Sequence, residues 1–466
     1  MNLRTLLAVT LLPVVFGCGG EEGKPADDAT KVNPPPTASA APTTPPPVDQ
    51  AAELAKIGAR AFVWGYPAVF MERMKRTMTT NVHQPLGTFQ HKSKLSTPGD
   101  GEVVPNNDTL LSSAWIDLAE DAWVLKVPDM GDRYYAFQMV DAYANVFAHV
   151  GRRSTGTKAG TYVITGPGFK GTVPAGAKEI KSPTNTVWLL GHTRVENDAD
   201  LAKVSALLKQ LTLTTLSGKA PSMPPSPEAR PQDLAFAGPS FFDELGDVTE
   251  KNPPPPGIPD WLPGFAKAGI GPGMKPTKKL EQKDLDALGA GLKDGVAQID
   301  EAFEKLPQKK NGWDVDARFG KADLDPLVRA AFVKRGMDWN VAEEAFFPLT
   351  QVDDGDMTLS GAHEYVLHFD KAPPVDAFWS LSLYSKRSGA FAENPLKRYS
   401  VNEKMLKKGK DGSIDVYLQA DAPKGNEANW LPVPKGEAFF LVLRMYQPKP
   451  EVVSGAWPLL PVKKIK

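Results

Sequence analysis

Tyr134–Val150 reads YYAFQMVDAYANVFAHV. One alternate set is Tyr135, Phe137, Met139, Asp141, Tyr143, Asn145, Phe147 and His149. The other is Ala136, Gln138, Val140, Ala142, Ala144, Val146 and Ala148. Alternation of period two is strand patterning. The small set suits close packing against a second layer. The large set mixes aromatics with Asp141, Asn145 and His149, a mixture that suits the wall of a cavity. The competing reading is a half-buried strand whose polar groups satisfy neighbouring turns. The run is long for a single strand, which leaves room for a bulge that breaks its phase.

Similar texture extends on both sides. Leu110–Leu118, Trp123–Val127, Gly160–Thr165 and Thr186–Arg194 are short apolar or alternating runs separated by Gly, Pro, Asn and Asp. Such runs belong to a sandwich or barrel. The last third repeats it at His363–Phe369, Ala377–Tyr384, Ser413–Gln419 and Ala438–Tyr446. Helical spacing is predicted at residues 51–78, 200–216, 280–306 and 323–347. Between them, residues 219–276 are Pro-rich and largely irregular, with short helices expected at Pro239–Leu245 and Pro259–Ala268. With Gly 40 and Pro 44 in 466 residues, the chain is turn-rich, and the fold class is mainly β with α. The expected units are 51–218, a β-rich domain; 219–350, a Pro-rich and helical connection; and 351–466, a second β-rich domain.

The N-terminus reads as an address. Arg4 precedes the apolar run Leu6–Phe16, and Gly17-Cys18 follow. That is a secretory signal peptide over residues 1–17, too short to span a bilayer as a helix. Cys18, the one Cys of the chain, resembles the lipidated Cys of a bacterial lipobox. Residues 18–50 are Pro-rich and apolar-poor, a disordered tether that cannot bury enough surface to fold. The expected location is the bacterial cell envelope, anchored to the membrane through lipid on Cys18, with Gly19 favouring the outer membrane. One Cys excludes an intrachain disulfide. A net charge of −1 gives no reason to expect nucleic acid as a partner.

Motifs of known chemistry are missing. There is no nucleophile elbow, Walker loop, dinucleotide fingerprint or His-Glu-x-x-His. The six His have no ligand spacing, and Asp353, Asp354 and Asp356 read as a turn, so neither a metal nor a cofactor is expected. Polar residues embedded in strand texture remain. Asp108, Asp141, His149 and Tyr135 are candidate acid–base groups. Asn107, Arg133, Arg152 and Tyr143 are candidate ligand contacts, since an Arg fork binds a carboxylate or anion bidentately. Arg133 and Arg152 are the cations nearest Asp141 in sequence. For each of these residues, buried pairing that only holds the sandwich together is the competing reading.

Several strings resemble an uncharacterised bacterial family. PNNDTLLSSAWIDL, DRYYAFQMVDAYANVFAHVGRRSTG and GTYVITGPGFKG are similar to domain of unknown function 1254. NGWDVDARFG, PPVDAFWSLSLYS, NPLKRYSV, DGSIDVYLQ and ANWLPVPKGEAFFLVLRMYQP are similar to its usual companion, domain of unknown function 1214. The likeness runs from about Ala52 to Val462. Leu111 stands where the family tends to have Tyr, and His192 where it tends to have Arg. The resemblance implies two β-sandwich, jelly-roll-like domains joined by helices, and it implies no activity.

Two functions follow. One is an envelope lipoprotein that binds a carbohydrate, lipid or protein partner through an aromatic-lined cleft in the N-terminal β domain. The alternative is an envelope hydrolase or lyase using Asp108, Asp141 and His149. A single cleft holding all three would favour the enzyme.

Overall fold

In the computed structural model, the described residues are 49–81, 84–221, 234, 237–254, 262–336 and 340–466. The expected signal peptide, Cys18 and the expected tether up to residue 48 lie outside them.

The N-terminal domain is a sandwich of two sheets. Its strands are β1 (Gln90–His91), β2 (Thr109–Asp117), β3 (Trp123–Val127), β4 (Tyr135–Asp141), β5 (Val146–Gly151), β6 (Gly160–Thr165), β7 (Lys178–Lys181), β8 (Thr186–Arg194) and β9 (Thr212–Thr215). One sheet runs β1-β2-β8-β4-β5 and the other β7-β6-β3-β9. Leu110, Ile116, Tyr135, Phe137, Met139, Val187 and Leu189 fill the space between them with Leu125, Tyr162 and Ile164. Gly191 leaves room for the Phe137 ring, which would lie 2.3 Å from a Cβ there.

The stretch Tyr134–Val150 is two strands rather than one. β4 ends at Asp141, whose Oδ1 accepts from the backbone amides of Tyr143 (2.8 Å) and Asn145 (2.9 Å). Ala144 takes a left-handed φ of 65° to close the turn. An Asx turn of this kind competes directly with continued strand. A register irregularity also falls between Met139 and Val140. The predicted faces therefore hold only as far as Asp141. Tyr135, Phe137 and Met139 of the large set are fully buried in the inter-sheet core.

The opposite face of the β2-β8-β4 sheet is covered in two halves. Trp115, Trp188, Val140 and Leu190 pack on a helical layer. That layer is α1 (Gln50–Arg76), α3 (Ser240–Lys251), α4 (Gln282–Lys305) and α5 (Pro326–Arg335), α2 being Leu201–Leu208 of the sandwich. Asp49 caps α1 by accepting from the Ala51 amide (3.1 Å). Most of α1 is buried, so it is a core helix rather than an amphipathic surface one. α1 and α4 approach closely: a Cβ on Gly291 would lie 1.9 Å from the Ala55 carbonyl oxygen.

Two predicted helices are shorter than expected. The segment 200–216 is helical only to Leu208, and its end becomes β9, paired with β3. Among the described residues of 323–347, only Pro326–Arg335 is α-helix.

The C-terminal domain is the second sandwich. One sheet runs β10 (Gln308–Lys310), β11 (Trp313–Val315), β13 (Leu349–Thr350), β19 (Phe439–Pro448), β15 (Val375–Ser385) and β16 (Ser400–Asn402), with β12 (Ala345–Phe346) also on β19. The other runs β18 (Trp430–Pro432), β17 (Ile414–Gln419), β14 (Tyr365–Phe369) and β20 (Lys463–Lys464). Trp379, Leu381, Leu383, Leu441, Leu443, Tyr365, Leu367 and Val416 form its core.

The opposite face of β15 and β19 meets the N-terminal domain. Phe378 lies across from Tyr446 and Ser380 across from Arg444. Tyr446 and Ala345 pack on Tyr134 and Ala136, which covers the second half of the N-terminal sheet.

Candidate functional site

The seam between the sandwiches holds the densest buried polar network among the described residues. Asn106 begins it. Its side-chain oxygen accepts from the amides of Asp108 (2.7 Å) and Thr109 (3.1 Å), which fixes the entry to β2. Its Nδ2 donates to the Tyr446 hydroxyl at 2.8 Å.

Asp108 is buried and bridges the domains. Oδ1 takes Nη1 of Arg194 at 3.0 Å, and Oδ2 takes the Ser380 hydroxyl at 2.5 Å. Arg194 is buried too, and its Cζ stands 3.8 Å over the Phe378 ring, which stacks on Tyr446. Arg444 donates to the carbonyl oxygens of Val104 (3.1 Å) and Pro105 (3.3 Å) and to the Tyr384 hydroxyl (2.9 Å). Burial, together with the nearby Asp108 carboxylate, pushes the Tyr446 phenol up. Burial acts the same way on Tyr384 and outweighs the lowering by Arg444.

A cleft opens beside this network, with about 100 Å³ of enclosed space. Tyr134, Arg152 and Arg194 form one wall; Phe378, Asn402 and Lys404 form the other. Glu196 and Lys404 join across it at 2.5 Å. Arg152 also spans the domains, donating to the Asp376 carbonyl (2.9 Å) and to Gln447 Oε1 (2.7 Å).

The predicted residues separate into different places. Asp108 and Arg152 are at the seam. Arg133 binds Asp200 through two nitrogens, at 2.5 and 2.7 Å, and the Arg194 carbonyl at 2.7 Å; it does not reach for Asp141. That guanidinium holds the Asp200 carboxyl below its usual range. Asp141 is opposite Val187 at the far end of β8 from Arg194. The seven-residue offset from Arg194 is about 23 Å along a strand. Burial pushes the Asp141 carboxyl up, against the hydrogen bonds of Asn145 and Tyr143.

Tyr135 donates to the Gly156 carbonyl (2.9 Å), and burial pushes its phenol up to about 12. Tyr143 donates to the Asn252 carbonyl (2.9 Å) under the helical layer. His149 Nε2 sits 2.9 Å from Asn340 Oδ1, and burial lowers its pKa. Asn107 is next to the seam, with its side-chain oxygen buried and unpaired. The acid–base trio Asp108, Asp141 and His149 therefore occupies no common cleft.

Arg194, Ser380, Tyr384 and Phe378 escaped the sequence reading. Their signal lies in pairing between strands far apart in the chain. No group of three or more His, Cys, Asp or Glu among the described residues is arranged to hold a metal ion.

Residues 86–215 match the family model described as a protein of unknown function (DUF1254), and residues 344–450 match a second of that description (DUF1214). The VPA0106 protein from Vibrio parahaemolyticus has a similar crystal structure. It is 25% identical with a TM-score of 0.72, over 89% of this chain and 100% of that one. An uncharacterized protein from Burkholderia cenocepacia is more distant: 12% identical, TM-score 0.44, over 90% of this chain and 95% of that one. No curated protein matches the chain.

Proposed function

Because the chain belongs to the family that joins domain of unknown function 1254 to domain of unknown function 1214, we infer its role from the seam between those two domains. We propose a cell-envelope protein, held by lipid on Cys18, that binds a hydroxylated small molecule or short glycan in the seam cleft. The observation that carries this reading is the composition of the cleft wall. Aromatic Tyr134 and Phe378 stand beside the fixed donors Arg152 and Arg194 and the amide of Asn402. Sugars offer apolar C–H groups and a rim of hydroxyls; the edge of Phe378, whose faces are taken by Arg194 and Tyr446, and these donors match both. Arg194 is held in place by Asp108 and Phe378 before any ligand arrives, so little ordering cost falls on binding. The dispersal of Asp108, Asp141 and His149 leaves the hydrolase or lyase reading without a site.

Isothermal titration with short oligosaccharides of the cell envelope should give saturable binding. Asn402→Ala should weaken it about tenfold, as for a lost hydrogen bond worth ~1.4 kcal/mol. Absence of binding to every oligosaccharide, or binding indifferent to both Asn402→Ala and Phe378→Leu, would overturn the reading. Mass spectrometry of membrane fractions should show an acylated Cys18 at the mature N-terminus. A soluble product cut elsewhere would remove the anchor.

A further inference from the structure

Two loops of the C-terminal domain meet at one end of the sandwich. The first is Leu396–Arg398. The second, Lys404–Lys410, follows β16 directly. Both rest on the segment Glu427–Trp430. Arg398 Nη1 donates to the Trp430 carbonyl at 2.8 Å and to the Glu427 carbonyl at 3.2 Å. The Asn429 side chain accepts from the Lys407 amide at 2.7 Å and donates to the Lys407 carbonyl at 2.8 Å. These bonds join the loops into a single surface.

That surface is strongly cationic. Residues 396–410 contain Lys397, Arg398, Lys404, Lys407, Lys408 and Lys410 against one acid, Glu403, in a chain whose net charge is −1. Asp411 and Glu427 adjoin the patch, and Glu196 pairs with Lys404, so part of the charge is offset. Lys407, Lys408 and Lys410 are exposed; Lys407 acts on the Glu427 carboxylate through space, and Lys408 and Lys410 are left to face solvent. The same two loops carry large exposed apolar side chains, Leu396 at 49% and Met405 at 42% exposure. Only four large hydrophobics are exposed among the described residues, so half of them fall on this patch.

A solvated basic loop has no use for exposed Leu and Met, and a patch for a soluble anion gains nothing from them. Cations that flank protruding apolar groups fit a surface with anionic headgroups above an acyl layer. We propose that this patch docks on an anionic lipid surface, independently of the lipid on Cys18 and of any ligand in the cleft. No helix among the described residues is long and apolar enough to cross a membrane, so this contact is peripheral. Lys404 belongs to both the patch and the cleft, so docking would bring the cleft to the bilayer.

The test uses the full chain carrying Cys18→Ser, which cannot be lipidated, and vesicle co-sedimentation. Phosphatidylcholine vesicles containing phosphatidylglycerol should bind at least tenfold better than phosphatidylcholine alone, and binding should weaken as salt is raised. Lys407→Glu, Lys408→Glu and Lys410→Glu together should lose about a hundredfold or more, at roughly fivefold for each lost cation before the added repulsion. These side chains are exposed, so the thermal midpoint should be unchanged, and they are outside the cleft, so oligosaccharide binding should be unchanged too. Leu396→Ser with Met405→Ser should weaken vesicle binding several-fold without altering its salt dependence. Equal binding to both vesicle types, or a triple variant that still binds, would overturn the proposal. So would indifference to Leu396→Ser with Met405→Ser combined with full displacement by soluble polyglutamate, which would make the patch a reader of acidic protein.

Discussion

Asp108, just before β2, and Asp141, at the end of β4, are both buried carboxylates of one domain, yet their partners give them different energetics. Asp108 faces Arg194 in a low-dielectric seam. Asp108→Ala leaves that guanidinium without its buried carboxylate, with only the half-exposed Glu196 at 3.9 Å, so a loss of ~3–5 kcal/mol is expected in thermal unfolding. Asp141 accepts from its own turn; an amide in its place would keep an oxygen for the two backbone N–H groups, and Asn145, whose Nδ2 donates to Asp141 Oδ2 at 2.9 Å, can turn its unpaired Oδ1 to accept from the new NH2. Asp141→Asn should therefore cost no more than ~1 kcal/mol. Neither Arg133→Met nor Arg152→Met should reproduce it, because their partners lie elsewhere. A third residue sets a pH slope. Burial lowers the pKa of His149 from 6.5, only partly offset by Asn340 and Glu344. Below pH 6.5 the unfolded chain takes the proton more readily than the folded one, so stability falls as the pH drops from there towards the folded value. His149→Gln should flatten that part of the stability–pH curve. A residual slope is expected from His91, which burial shifts the same way. An unchanged slope in the variant would remove His149 from the account. Sequence order suggested Arg133 and Arg152 as partners of Asp141 because nearness in the chain was the available guide. The real partner of Asp108 is eighty-six positions away, set by β2–β8 register. Gln138 shows the same limit. Among small neighbours it read as part of a packing face, yet it is fully buried with both amide atoms unpaired.

Elements were legible in proportion to the length and regularity of their pattern. α4 keeps its one-sided apolar stripe, whereas α1 and the strands β2, β8 and β19 are legible as long runs buried nearly throughout. β9 was read as helix because Leu207, Leu208 and Leu211 continue a helical spacing. The chain instead turns at Lys209 and Gln210, and Thr212–Thr215 gains ladder bonds on the free edge of β3, a tertiary override of local preference. The α1–α4 contact depends on something no apolar pattern reports, namely side chains that are missing. Gly291→Ala should push the two helices apart, since its Cβ would lie 1.9 Å from a backbone oxygen that has nowhere to yield. Overpacking of this kind costs about 1–3 kcal/mol or more. A fall in the unfolding midpoint should result, whereas Gly289→Ala, 3.6 Å from its nearest neighbour, should be neutral or mildly stabilising. Equal effects at both positions would mean that the helices do not meet as closely as described.

At the scale of the whole molecule, one sheet depends on two different covers. The N-terminal β2-β8-β4 sheet is capped at one end by the helical layer and at the other by β15 and β19. Calorimetry should therefore show one transition rather than two, and a chain ending at Arg335 should not fold. A separate, ligand-independent transition for either sandwich would contradict that coupling. Two sandwiches were legible from strand texture and from likeness to a family. Their mutual dependence was not, because it resides in which faces are shared. The arrangement of α1 has a consequence in time. α1 ends at Arg76 and its main partner α4 begins at Gln282, so this helix must wait for most of the chain before it is covered. Closing so distant a contact is slow, and during the delay an apolar helix is available to neighbouring chains. Refolding from denaturant should accordingly lose yield steeply as protein concentration rises. In the cell, the interval between the emergence of α1 and that of α4 is when this chain most needs a chaperone.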